Sequence, residues 1–147
     1  MMVTISLCII VKNEEKTLER CLSSLKGIPD QIVIVDTGST DRTVEIAKKW
    51  TPHVHHFTWA EDFSAARNES FRYATMDYIL WLDADDIVKP EGAKALLSLK
   101  SFLDPKIDAV SMKYYINFDA NGNVIRSTHR FRLLRRTRAI SLSLTKK

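Results

Sequence analysis

Glycine and proline are scarce in this chain of 147 residues, four of each, and neither recurs at a fixed period. That excludes collagen-like, low-complexity and disordered classes. Cysteine is scarcer still: Cys8 sits in an apolar run and Cys21 at an apolar helical position, so both read as reduced core thiols and not as a disulfide framework. Long apolar runs are missing, since 7–11 stops at five residues where a membrane span needs roughly 20. No basic-then-apolar leader with a small-residue cleavage site is seen, and the expected location is the cytoplasm. Two glycine signatures are also absent. No G-x-G-x-x-G follows the first apolar run, where the sequence reads Lys12-Asn13-Glu14-Glu15, and no G-x-x-x-x-G-K-[ST] occurs anywhere, which argues against a dinucleotide dehydrogenase and a P-loop NTPase. Nothing supports a serine or cysteine triad.

What is present is an ordinary globular composition, 45% hydrophobic and 27% charged. A chain of this length buries roughly 68–70% of its unfolded surface and needs no staples. It reads as one domain over 1–140, with 141–147 a tail that has no packing pattern and is expected to be disordered. The net charge of +4 is uneven: residues 126–147 hold eight Lys or Arg and no acid, against fourteen basic and eighteen acidic residues before them. Such an end attracts phosphates or acidic lipid heads, or is simply a solvated strand and tail. No aromatic-interleaved platform accompanies it, so nucleic acid is not an expected partner, whereas peripheral membrane contact and a homodimer through the basic hairpin stay open.

Strand and helix patterns alternate from the first residues, which indicates an α/β domain with a mostly parallel sheet. Residues 4–11 (TISLCIIV) are too uniformly apolar for an edge strand and read as a central strand buried on both faces. Asn13 is expected to cap the helix carrying Leu18, Cys21, Leu22 and Leu25, which Gly27 and Pro29 stop. A strand over 31–35, a turn over 36–41, a helix with Val44, Ala47 and Trp50 inward, and a short strand over 54–58 follow. Asp62 is placed to cap a helix over 63–74, a strand spans 78–82, and Pro90 opens a helix with Ala93, Leu96, Leu97 and Leu99 inward. From Ala109 the period changes to two, with Val110, Met112, Tyr114, Ile116 and Phe118 on one face. Asn121-Gly122 then signals a hairpin whose return strand covers 124–134.

The chemistry concentrates in Trp81-Leu82-Asp83-Ala84-Asp85-Asp86. Carboxylates at a strand's carboxyl end lie where α/β sheets open their ligand crevice. Three anions within four residues repel unless a cation neutralises them, and hard oxygen donors suit Mg²⁺ or Mn²⁺; solvated turn acids are the plain alternative. Asp36 ends the second strand, as an acid that accepts from a ribose or base or as a turn acid. Arg67 and Asn68 precede the acidic strand, and a guanidinium there reaches a diphosphate or pairs with Glu69 or Asp62. His53, His55 and His56 form H-x-H-H without a further ligand nearby to complete a zinc site, and His129 stands alone.

Four segments, SLCIIVKNEE, IVIVDTGSTDRTVEIA, DFSAARN and YILWLDADD, together resemble the nucleotide-binding half of a family 2 glycosyltransferase with the Rossmann-like GT-A fold, over residues 5–90. The likeness is strongest to a bacterial group in which this domain precedes tetratricopeptide-type repeats, which this chain lacks. The resemblance implies that Ile10, Lys12 and Glu14 line the nucleobase pocket, although many relatives carry Pro and Tyr where this chain has Ile10 and Lys12. It further implies that Asp36 accepts from a uracil, that Arg67 lies near the nucleotide, that Asp83 contacts ribose or a metal-bound water, and that Asp85 holds Mn²⁺ or Mg²⁺ on the diphosphate of a UDP-sugar. An inverting transfer to a saccharide, lipid or protein acceptor also needs a base. After Asp86 come Glu91, Asp104, Asp108, Asp119 and His129, and none has a context marking it as that base. The chain therefore reads as a donor-binding half, either part of a working transferase or a non-catalytic nucleotide-sugar-binding fragment. An aspartyl-nucleophile phosphatase is disfavoured, because Ile87 stands where such a motif expects Thr or Val.

Overall fold

The computed structural model describes residues 2–58 and 61–139. Six strands form one sheet in the order β3-β2-β1-β4-β6-β5. Strands β1 (Ile5–Val11), β2 (Gln31–Asp36), β3 (Val54–His56) and β4 (Tyr78–Asp83) run parallel, joined through α1 (Leu18–Ser24), α2 (Thr43–Trp50) and α3 (Phe63–Arg72). After α4 (Pro90–Phe102), β5 (Ala109–Phe118) and β6 (Val124–Arg135) form an antiparallel hairpin. Its second strand is the one that joins β4, antiparallel, pairing Tyr78 with Arg135 and Leu80 with Leu133. The α/β architecture, the mostly parallel sheet and the terminal hairpin match the sequence reading; the insertion of β6 between β4 and β5 had no sequence signal.

β1 is central because both of its faces are covered. Ile5, Leu7, Ile9 and Val11 pack with Leu18, Leu22, Ile46, Ala47 and Leu96 on the face of α1, α2 and α4. Cys8 packs on the other face with Val33, Val35 and Phe71, under α3. Burying a Leu or Ile side chain contributes about 1.5–3 kcal/mol, so this two-sided core is the main source of stability. Both cysteines are free and buried. Among the described residues, no helix is long and apolar enough to cross a membrane. The tail over 141–147 lies outside the described residues.

Local corrections have physical causes. Asn13 does not cap α1, which starts after Thr17 without a side-chain cap. Asn13 instead adopts a positive φ of 53°, and its Oδ1 accepts from the Thr40 amide at 2.7 Å, tying the β1 loop to the β2 loop. Leu97 is exposed, because Leu96 and Lys100 hold the buried line of α4. Ile116 and Phe118 are exposed as well, since the outer hairpin extends beyond β4 as a two-stranded ribbon. The hairpin turn itself is as expected, with Gly122 at φ 83° and the Asp119 carboxylate accepting from the Asn121 and Asn123 amides.

Candidate functional site

Strand order reverses around β1, whose neighbours β2 and β4 are reached by connections leading to opposite sides. In open α/β sheets that reversal leaves a crevice at the carboxyl ends of the strands. Here it is a cleft of about 670 Å³, walled by Ile10, Val11, Lys12 and Glu14 from β1 and its loop, Thr37 just after β2, Phe63 and Arg67 from α3, and Asp83, Ala84 and Asp85 from the end of β4. Ile10 and Asp83 are direct partners across the β1–β4 pairing, which fixes the acidic turn against the first loop.

Six of the residues singled out in the sequence thus meet on one cleft: Ile10, Lys12, Glu14, Arg67, Asp83 and Asp85. Glu14 is braced, its carboxylate accepting from the Thr17 hydroxyl and its amide donating to the Thr43 hydroxyl. Asp36 is buried at the end of β2, aligned with Val11. Its carboxylate accepts from the Gly38 and Ser39 amides and lies 3.5 Å from His56 Nδ1, while the next residue, Thr37, faces the cleft. The H-x-H-H run forms no metal-ligating group among the described residues. His55 is stacked on Tyr73 with ring centroids 3.5 Å apart.

The acidic turn is built as a knot. The Asp86 amide donates to the Asp83 carbonyl, and the Asp83 amide donates back to Asp86 Oδ2, both at 2.9 Å. As a result Asp83, Asp85 and Asp86 each bring one carboxylate oxygen within 4.8 Å of the others. Three hard oxygen donors at that separation fit a divalent Mg²⁺ or Mn²⁺ ion. Asp85 is exposed, Asp83 half-exposed, and Asp86 nearly covered. Burial pushes the Asp86 carboxyl above the usual carboxylate range, against the opposing pull of the Asp83 amide and the Arg132 charge. Cys21 Sγ donates to the Asp83 carbonyl from beneath, and burial, reinforced by the charges of the three acids, pushes that thiol up to about 12.

Two guanidiniums flank the knot. Arg67 Nη2 is 3.9 Å from Asp83 Oδ1, and its guanidinium carbon lies 4.0 Å from the Trp81 ring centre. Burial lowers its pKa, while Asp83 raises it. Glu69 and Asp62, the alternative partners, are otherwise engaged, Glu69 with Arg72 and Asp62 with the first amides of α3. The second guanidinium belongs to Arg132 on β6, which sequence reasoning missed. Its Nη1 is 3.6 Å from Asp86 Oδ2 and 3.9 Å from Asp83 Oδ2, and its guanidinium carbon is 4.1 Å from the Trp81 ring centre. The available signal was the run Phe131-Arg132-Leu133-Leu134, which breaks the two-residue alternation of the strand.

The model of Glycosyl transferase family 2 matches residues 6–146. Among curated relatives, a TPR repeat-containing protein of Synechococcus elongatus is 47% identical over 103 residues, covering 70% of this chain and 25% of the relative. The prophage-derived glycosyltransferase SunS of Bacillus subtilis is 37% identical over 134 residues, covering 88% of this chain and 31% of SunS. The chain therefore spans about a quarter to a third of the length of these relatives. Among solved structures, S. aureus TarS in complex with UDP-GlcNAc superposes with a TM-score of 0.59 at 24% identity, over 84% of this chain and 37% of that one. Glucosyl-3-phosphoglycerate synthase from Mycobacterium tuberculosis, in complex with Mn²⁺ and UDP-glucose, gives 0.51 at 25% identity, over 58% of this chain and 34% of that one. With the family match running nearly the whole length of the sequence and the fold agreeing, this chain belongs to Glycosyl transferase family 2.

Proposed function

We propose that this chain is the donor-binding half of an inverting glycosyltransferase that takes a nucleotide-diphosphate sugar, a UDP-sugar, together with Mn²⁺ or Mg²⁺. The observation that carries the reading is the clustering of the Asp83, Asp85 and Asp86 carboxylates, of which Asp83 and Asp85 line an open cleft at the carboxyl ends of β1 and β4, with Arg67 alongside. UDP-sugar complexes of two structural relatives, one of them with Mn²⁺, support it.

In this reading Asp83 and Asp85 would hold the ion, which when bound would supply positive charge against the negative charge that builds on a departing diphosphate. Arg67 adds a fixed positive charge at the same cleft and orients diphosphate oxygens through its planar donors. Ile10, Lys12 and Glu14 wall the nucleoside end, and Asp36 holds the adjoining loop within reach of the base. The reaction belongs to the cytoplasm and the acceptor is a saccharide, lipid or protein hydroxyl.

Donor binding without transfer is a second reading, favoured by the acids that follow Asp86. Asp104 accepts from the Lys106 amide, Asp108 pairs with Arg135, and Asp119 closes the hairpin turn. None of them lines the cleft.

Calorimetric titration with UDP, with and without Mn²⁺, tests the proposal. Asp85→Ala should lose at least about tenfold of the Mn²⁺-dependent affinity while its circular dichroism is unchanged; equal affinity in that variant sinks the assignment. Hydrolysis of UDP-sugar by the wild-type chain then separates the two readings.

A further inference from the structure

Arg132 is 2% exposed, an uncommon setting for a guanidinium. The sheet puts it there. Val110 pairs with Leu133 and the next residue, Ser111, with Phe131, so Arg132 is the extra residue of a β-bulge. Bulges next to sites re-aim a side chain, and this one sends the guanidinium under the acidic turn. There its Nη1 lies 3.6 Å from Asp86, 3.9 Å from Asp83 and 3.4 Å from the Trp81 carbonyl. Nε and Nη2 are buried without a hydrogen-bond partner, and the guanidinium lies 4.1 Å from the Trp81 ring centre and 5.0 Å from that of Tyr114. Leaving two such nitrogens unpaired is costly, and what offsets it here is the attraction of the guanidinium charge to Asp86 and Asp83 and to the Trp81 and Tyr114 rings.

We propose that Arg132 is a positioning residue, a built-in counter-ion that pins Asp86 and part-neutralises the acidic cluster so that the divalent ion binds with the nucleotide diphosphate and not ahead of it. This rests on the reading of the cluster as a cation site. Three carboxylates face two permanent guanidinium charges, Arg67 and Arg132, so a bare ion meets little net attraction. A diphosphate brings the missing negative charge and further oxygen ligands. Without Arg132 the cluster would attract the bare ion more strongly and repel the diphosphate.

The test is Mn²⁺ binding to the full chain, read by the electron paramagnetic resonance of free Mn²⁺, with and without UDP. Wild type should bind Mn²⁺ at least about tenfold more tightly with UDP present, and Arg132→Met should bind Mn²⁺ alone about tenfold more tightly than wild type while losing affinity for UDP. Arg132→Lys, which keeps the charge, should behave like wild type. Unchanged or weaker binding of Mn²⁺ alone by a folded Arg132→Met variant, with normal UDP-dependent binding in wild type, overturns this inference and leaves the proposed function standing. Absence of Mn²⁺ binding by wild type even with UDP overturns both. Should Arg132→Met fail to fold, the wild-type comparison decides, since equal Mn²⁺ affinity with and without UDP contradicts the counter-ion role.

Discussion

The Arg67 guanidinium lies 4.0 Å from the centre of the Trp81 ring. Trp81 is also in reach of Arg132, and its own Nε1 donates to the Phe131 carbonyl at 2.9 Å, linking the edge of β4 to the bulged strand. One indole therefore sets the position of both cations beside the acidic turn. A cation over an aromatic face contributes about 0.5–2 kcal/mol, and the indole hydrogen bond about 1 kcal/mol.

Trp81→Leu should accordingly lower stability in urea by about 2 kcal/mol and weaken Mn²⁺-dependent UDP binding several-fold, because Arg67 loses its platform. Trp81→Phe keeps a ring face and loses only the hydrogen bond, so it should cost about 1 kcal/mol and leave nucleotide affinity near wild type. If the two variants bind UDP equally poorly in calorimetry, the ring is not what positions Arg67.

The parts of the fold legible in the sequence are those where apolar period and strand type agree. Ile5–Val11 is apolar apart from Ser6 and Tyr78–Asp83 is apolar up to its last residue, so their central position and the acids at the end of the second could be read directly. What stayed hidden depends on contacts distant in sequence. Asn13 looks like a helix cap locally, yet Thr40 competes for its side chain. Asp86 was visible as a third acid, but its knot with Asp83 and its pairing with Arg132 needed the turn and β6 in place. Arg132 was hidden because a bulge moves a residue off its expected face, and alternation alone assigns it to solvent.

The thiols supply a pH signature. Burial pushes Cys8 up to about 12 from 9.0, with a weaker opposing hydrogen bond to the Ser70 side chain, and burial with the neighbouring acids does the same to Cys21. A thiol whose folded pKa is raised favours folding below its unfolded pKa, and that contribution is lost as pH rises from 9 toward 12, because the unfolded chain releases the proton first. Urea unfolding of wild type should therefore weaken more steeply above pH 9 than that of the Cys8→Ala, Cys21→Ala double variant. Iodoacetamide should label neither thiol at neutral pH until urea is added; labelling of the folded chain would contradict the burial argument.

Asp30 and Lys100 join the sheet to α4, with Lys100 Nζ 2.8 Å from Asp30 Oδ2, and the two sides of this pair are not equivalent. The Lys100 side chain is 8% exposed and also donates to the Ile28 carbonyl, whereas that of Asp30 is 35% exposed and also accepts from the Ile5 amide at the start of β1. Removing the carboxylate strands a buried ammonium with one carbonyl and leaves the Ile5 amide without its acceptor, so Asp30→Ala should cost about 3 kcal/mol. Removing the ammonium leaves a carboxylate that water reaches and that still serves Ile5. Lys100→Met also fills much the same volume, so it should cost about 1 kcal/mol. Urea denaturation of the two single variants measures the difference directly. Equal losses, or a larger loss for Lys100→Met, would mean that the ammonium anchors α4 by its charge and that burial does not decide which half of the pair matters.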